Sequence, residues 1–455
     1  MENRRLTEGN ITSTLVRLAI PIMATSFVQM AYSMMDMIWL GRLSTNAVAA
    51  AGTAGFFTWL GSALFMIPKI GAEVGIAQSY GRDDMESARK YVFHTLQLDI
   101  IIALIYSLIL ILFRYPIIGF FKLGDPEVIG MAIDYLLIVS IGMVFYFLNP
   151  VYSGIFNGSG DSTTPFKINA IGLIINMILD PLMIMGIGPF PKMGIKGAAL
   201  ATVIAQFIVT IIFIIVSKSK PNLFSHLNMF KIPEKAYIKN IFKLGLPSAL
   251  QSGLFASIAM IITRIISRWG PVAIGVQNVG SQIESISWMT AGGFSTAISV
   301  FIGQNHGAGH WDRIKEGYRR GLVIVGTIGI FAMILLILGA EPIFRLFIPE
   351  DKEAIEIGIT YLKILGLSQF FMTIEIGTQG AFNGLGRTIP PSLVGILFNA
   401  LRIPAALILS STFLGLDGIW WSISVSSMFK GVVLTIWYIM VLRKYPSERE
   451  ENKEY

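Results

Sequence analysis

About twelve apolar runs, each long enough to cross a bilayer, make up most of this 455-residue chain. Their approximate limits are 13–40, 47–80, 91–113, 127–157, 163–186, 194–217, 240–266, 272–304, 317–339, 352–383, 389–412 and 417–442. Lipid offers no partner to a backbone N–H or C=O, so such runs fold as helices that satisfy their own backbone. The sequence therefore predicts an all-α polytopic membrane protein with twelve transmembrane helices. Several runs exceed what a vertical helix needs, which implies tilt or extension past the bilayer. Composition agrees: 14% of the residues are charged, against about 25% in a soluble domain. No cleavable signal is evident, because the run after the polar start Met1–Arg5 is too long for a signal's apolar region. There is no cysteine, which excludes a disulfide framework, a thiolate metal site and a thiol nucleophile.

The formal charge of +7 fits the positive-inside rule better than a nucleic-acid partner. With a cytoplasmic N-terminus, roughly 20 Lys and Arg fall in cytoplasmic segments and roughly 8 outside. Both termini are then expected in the cytoplasm, in a cell inner membrane.

An internal repeat sets the architecture. Leu18-Ala19-Ile20-Pro21 returns as Leu244-Gly245-Leu246-Pro247, and Ile76-Ala77-Gln78 as Ile302-Gly303-Gln304. Gly154-Ile155-Phe156-Asn157-Gly158-Ser159-Gly160 returns as Gly380-Ala381-Phe382-Asn383-Gly384-Leu385-Gly386. All three pairs are displaced by 226 residues; after a short gap, Asn176 with Asp180-Pro181 returns as Asn399 with Ile403-Pro404. The chain reads as two homologous six-helix bundles, both entering the membrane in the same sense. The expected boundaries are residues 1–216, a cytoplasmic linker 217–239, residues 240–442 and a tail 443–455.

Two polar faces interrupt the apolar runs of the first half. Thr25, Gln29, Tyr32, Ser33 and Asp36 share one helix face, and Asn169, Asn176 and Asp180 share another. An aspartate at mid-membrane costs at least about 2.5–3.5 kcal/mol, so both faces must look into protein or a wet cavity. Neighbouring carboxylates in low dielectric repel, and one takes a proton, or oxygens of this kind hold Na⁺. No His or Cys is involved, which argues against a transition metal. By the repeat, Asp36 answers to Ile262 and Asp180 to Ile403, so only the first half has the acid pair.

Other charges fall in apolar runs. Lys69 and Glu73 have the spacing of an ion pair within one helix. Glu284, Glu375, Arg264 and Arg402 are two acids and two bases, expected to neutralise one another or to line a substrate cavity. Gln29 and a methionine cluster that includes Met30 and Met34 are candidate cavity residues, since thioethers adapt to varied apolar ligands. Gly158-Ser159-Gly160-Asp161 has the Gly-x-Gly-Asp form of intramembrane aspartyl proteases. Their second aspartate directly follows a Tyr, and no Tyr-Asp dipeptide occurs here.

Together these residues resemble the multidrug and toxic compound extrusion (MATE) family over nearly the whole chain. The resemblance is carried by Pro21 fifteen residues before Asp36, Asn176 with Asp180-Pro181, the small-residue run Gly197-Ala198-Ala199-Leu200-Ala201-Thr202, and the two Gly-x-Phe-Asn-Gly-x-Gly helix ends. It implies a V-shaped pair of six-helix lobes and export of amphipathic organic cations in exchange for Na⁺ or H⁺, by a monomer that is not an enzyme and needs no cofactor. It also implies a cation site of Tyr32, Asp36, Asn157, Asn176, Asp180 and Thr202, and bending of the first helix at Pro21. The second-lobe acids of the vibrio-type branch are absent from their places, and the nearest is Glu375. The resemblance is therefore to the archaeal or DinF-like branch. An alternative within the same superfamily is a flippase for a lipid-linked precursor, whose cavity should be cationic.

Overall fold

The computed structural model describes residues 6–225 and 232–445. Part of the expected linker and most of the expected tail lie outside them. The helices are α1 (Ile11–Leu43), α2 (Thr45–Gly81), α3 (Met85–Gly119), α4 (Pro126–Ile141), α5 (Met143–Gly158), α6 (Thr163–Met185), α7 (Ile195–Lys218), the short α8 (Pro221–Phe224), α9 (Lys235–Ile266), α10 (Pro271–Gly307), α11 (Trp311–Leu338), the short α12 (Ala340–Phe347), α13 (Lys352–Gly366), α14 (Gln369–Gly384), α15 (Ile389–Ser410) and α16 (Gly415–Leu442). Among the described residues ten helices are long and apolar enough to cross a membrane, and the bent pairs α4–α5 and α13–α14 make twelve spans.

Sequence explains where the helices begin and which side meets lipid. The Ser44 hydroxyl accepts from Ala47 N at 3.0 Å and the Asp84 carboxylate from Ser87 N at 2.9 Å, capping α2 and α3. On α3, Ile101, Leu104, Ile105, Leu108 and Leu112 stay exposed at helical spacing, while Asp99, Ala103, Tyr106, Ser107 and Leu110 are buried. The apolar stripe faces outward and polar groups turn inward, as a lipid solvent demands.

The fourth and tenth runs, expected as single helices, are each bent, by 51° and 48°. The breaks fall at Gly142 and at Leu367–Ser368, after Gly366, which are repeat-related positions. Glycine and serine are common causes of sharp kinks. A Cβ on Gly142 would lie 2.5 Å from the Val203 side chain, so the bend also lets α5 approach α7.

The chain divides into two compact units: an N-terminal unit, Ala24–Ala249, and a C-terminal unit, Met1–Met23 with Leu250–Tyr455. These differ from the expected halves. The start of α1 belongs to the C-terminal unit, where a Cβ on Gly293 would lie 2.9 Å from the Met23 backbone nitrogen. The start of α9 belongs to the N-terminal unit, where a Cβ on Gly71 would lie 2.7 Å from Ile241 and one on Gly245 2.2 Å from the Ile67 carbonyl. Repeat homology and packing therefore draw different boundaries, because glycines let these first turns dock closely on the other half's helices. Within the C-terminal unit Leu6 is buried, and Arg313 donates to the carbonyls of Leu6, Glu8 and Gly9 at 3.2–3.3 Å.

Candidate cation site

The N-terminal unit gathers four polar side chains from three helices. On α6, Asn176 and Asp180 are one turn apart and fully buried. Pro181 has no N–H to donate to the Met177 carbonyl, which loosens the backbone beside them. On α7, the run Gly197–Ala201 has little side-chain bulk, and a Cβ on Gly197 would sit 2.4 Å from the Met183 carbonyl. This close crossing brings Thr202 to the level of Asn176. Asp36 on α1, half-buried, completes the group.

The Thr202 hydroxyl donates to Asp36 Oδ2 at 3.1 Å. Asn176 Nδ2 donates to Asp180 Oδ1 at 3.1 Å and lies 3.4 Å from Asp36 Oδ1 and 3.5 Å from Thr202 Oγ1. The Asp36 and Asp180 carboxyls are within hydrogen-bonding reach of each other. Two buried oxygens, Asn176 Oδ1 and Asp180 Oδ2, have no partner among the described residues. The cluster thus holds two acids, an amide and a hydroxyl, with acceptors to spare. Such a set suits a proton or a hard monovalent cation; no group of three or more His, Cys, Asp or Glu that could hold a metal ion occurs among the described residues.

Tyr32 is buried, with an unpartnered hydroxyl that lies against Gly172, where a Cβ would be 2.4 Å away. It is within electrostatic reach of both acids. Asn157 is buried on α5 with Oδ1 unpartnered, and no hydrogen bond joins it to the cluster. The α5 asparagine that engages α7 is Asn149, two turns earlier on the same face. It donates to Gln206 Oε1 at 2.6 Å and accepts from Thr210 at 2.8 Å. Tyr135 on α4 also lies within electrostatic reach of Asp36 and Asp180. Neither residue is marked by motif, although Asn149 repeats the four-residue spacing of Ser153 and Asn157. Asp99, fully buried on α3 with both oxygens unpartnered, also escapes a reading by motif, and nothing in the structure explains it. Of the expected cavity residues, Gln29 and Met34 are exposed and Met30 is half-buried.

The charges of the C-terminal unit do not pair as a foursome. Glu375 Oε2 is 3.0 Å from Lys430 Nζ on α16, a base hidden in an apolar run. Glu284 accepts from Tyr361 Oη at 2.6 Å and Gln369 Nε2 at 3.3 Å. Arg402 donates to Ser426 and Ser427, and Arg264 is exposed.

Residues 21–182 and 247–408 each match the MatE family model, and the two matches are displaced by the 226 residues of the repeat (247 − 21 = 408 − 182 = 226). A Thermotoga maritima protein named "Probable multidrug resistance protein NorM" is 28% identical over 434 residues, covering 94% of this chain and 92% of that protein. A Bacillus subtilis "Probable multidrug resistance protein YpnP" is 28% identical over 446 residues, covering 95% and 96%. A solved structure described as "Crystal structure of MATE in the bent conformation" superposes with a TM-score of 0.91 at 22% identity, covering 98% of each chain. Another, "Outward-facing conformation of a multidrug resistance MATE family transporter of the MOP superfamily", gives 0.88 at 24%, covering 96% and 97%.

Proposed function

We propose that this chain, which belongs to the MATE family, is a multidrug efflux transporter of the cell membrane that exchanges amphipathic organic cations for H⁺ or Na⁺ at Asp36 and Asp180. The family is one of transporters, not enzymes. The observation that carries the coupling is the four-residue cluster: two acids that share an amide and a hydroxyl, inside a bundle whose outer face is apolar. Two adjacent carboxyls away from water do not both hold a bare negative charge, so one proton or one Na⁺ resides with them. Ionised Asp36 attracts a cationic cargo, and an ion bound at Asp36 removes that attraction. Competition for one charge yields exchange. The ion also biases helix shape by its differential affinity, and a tenfold preference supplies about 1.4 kcal/mol.

In this reading Asn176 and Thr202 orient the acids, Tyr32 acts on them through space, Asn157 stands outside the hydrogen-bonded cluster, the protein acts as a monomer, and both termini are cytoplasmic. The test is uptake of a radiolabelled organic cation into proteoliposomes under a pH gradient or a Na⁺ gradient, each applied alone. One gradient drives transport in the parent and neither does in Asp36→Asn. Gradient-driven export by well-folded Asp36→Asn overturns the assignment.

A further inference from the structure

We propose that the C-terminal unit contains a subsite for an organic carboxylate, centred on the guanidinium of Arg402. The proposal rests on the transporter reading and deepens it by naming the residues that receive the carboxylate of a cargo carrying one beside its cation.

Arg402 lies on the α15 face Gly395, Asn399, Arg402 and Ala406, which is buried. The residue is 8% exposed. Its Nε donates to Ser426 Oγ at 2.7 Å and its Nη2 to Ser427 Oγ at 2.9 Å. Both partners are neutral. Among the described residues no carboxylate lies within 4.0 Å of it, because both acids of this interior are engaged elsewhere. Glu375 is held by Lys430, and Glu284 by Tyr361 and Gln369; both act on Arg402 only through space.

A buried guanidinium without an ion pair is costly, and its five N–H donors form a fork that fits a carboxylate. Two of its three nitrogens are used here, leaving Nη1 without a hydrogen bond to a described residue. Asn399 Oδ1, one turn away on the same face, is also buried and unpartnered, an acceptor for an N–H or O–H of the same ligand.

The repeat supports the sign of the site. Where the N-terminal unit has Asn176 and Asp180, the C-terminal unit has Asn399 and Ile403, with Arg402 next to the position of the lost acid. Direct pairing limits the ligand's charge. Lys430 is held by Glu375, so Arg402 is the one base of the two without a carboxylate in contact, which suits a single carboxylate; a diphosphate needs an excess of bases.

The experiment measures binding of rhodamine B and its ethyl ester to the full chain in detergent, by fluorescence anisotropy. Both dyes carry the cationic xanthene, and only rhodamine B has the free carboxylate. The parent prefers rhodamine B, and Arg402→Gln lowers that preference about tenfold, the loss expected for one charge-assisted hydrogen-bonded pair. Arg402→Lys, which keeps the charge and loses the fork, recovers part of it. If Arg402→Gln fails to fold, Arg402→Lys decides, because it keeps the charge, loses the fork and lowers the same ratio by a smaller factor. A parent that prefers the ester, or a ratio unchanged in the variant that folds, overturns the subsite alone. Binding of neither dye to the parent overturns the organic-cation cargo together with the subsite.

Discussion

Asp36 and Asp180 have different surroundings. Asp36 is half-buried and receives two donors, while Asp180 is fully buried and keeps one oxygen bare. In the proposed exchange, the first meets the solvated ion and the second tunes its charge. In the C-terminal unit, Glu375 and Lys430 form a pair whose side chains are each 8% exposed. Removing one partner of a buried pair costs about 3–5 kcal/mol, because the other charge is stranded. Lys430→Met therefore lowers the midpoint of thermal unfolding strongly, and adding Glu375→Leu restores most of the loss. With the exchanged charge at Asp36, as proposed, both proteins keep the ion dependence of export. Loss of all ion dependence in Glu375→Gln would move the coupling site to the C-terminal unit.

At the scale of single helices, two prolines occupy repeat-related places where a helix passes from one unit to the other. Pro21 precedes the Met23–Ala24 boundary in α1, and Pro247 precedes the Ala249–Leu250 boundary in α9. A helix proline removes one hydrogen bond and strains the preceding turn, so both are natural bending points. Pro21→Ala stiffens α1: ion binding stays near the parent value and turnover slows. Label-to-label distances across α1, read by electron paramagnetic resonance, respond to pH or Na⁺ in the parent and much less in Pro21→Ala. An equal response rules out bending of α1 as the coupling step. The start of α6 offers a pH test. Burial works against ionising Asp161, yet Lys220 and two hydrogen bonds from Thr164 hold its carboxyl below the usual carboxylate range. A carboxyl depressed in the folded state stabilises it above the unfolded value, and that stability is lost as pH falls through the folded value. Asp161→Asn keeps an acceptor at the start of α6 and loses the charge paired with Lys220, so it costs about 0.5–1 kcal/mol at neutral pH. The difference from the parent closes below about pH 4. A constant difference from pH 7 to pH 3 in chemical unfolding contradicts the role of the charge.

On the scale of the whole molecule, each unit is completed by the first turns of a helix from the other half of the sequence. Neither half is then a full folding unit. Residues 1–225 expressed alone lack the α9 turns that cover Gly71 and Gly245's partner Ile67, and they carry α1 turns whose packing partners are missing. Expressed separately, each half aggregates. Expressed together, with the break between Ser225 and Ile232, they co-purify as one monodisperse species. Stable, monodisperse halves would show that the shared helices contribute little.

The twelve spans, the twofold repeat and the two acid-bearing faces were legible in the amino-acid sequence, because hydropathy, a constant offset and helical spacing are linear properties of a chain in lipid. The place of Thr202 in the cluster was legible only through family resemblance. What brings it to Asp36 is the close crossing of α6 and α7 at Gly197, and an absent side chain looks the same wherever it falls in a sequence. Tertiary structure alone decided the bends at Gly142 and Ser368, the pairing of Glu375 with Lys430 rather than with Arg264 or Arg402, the isolation of Arg402 among serines, and the exchange of first turns between units. Each of these depends on which helix lies beside which, and at what depth. A buried charge in an apolar run announces that it needs a partner, but packing chooses the partner.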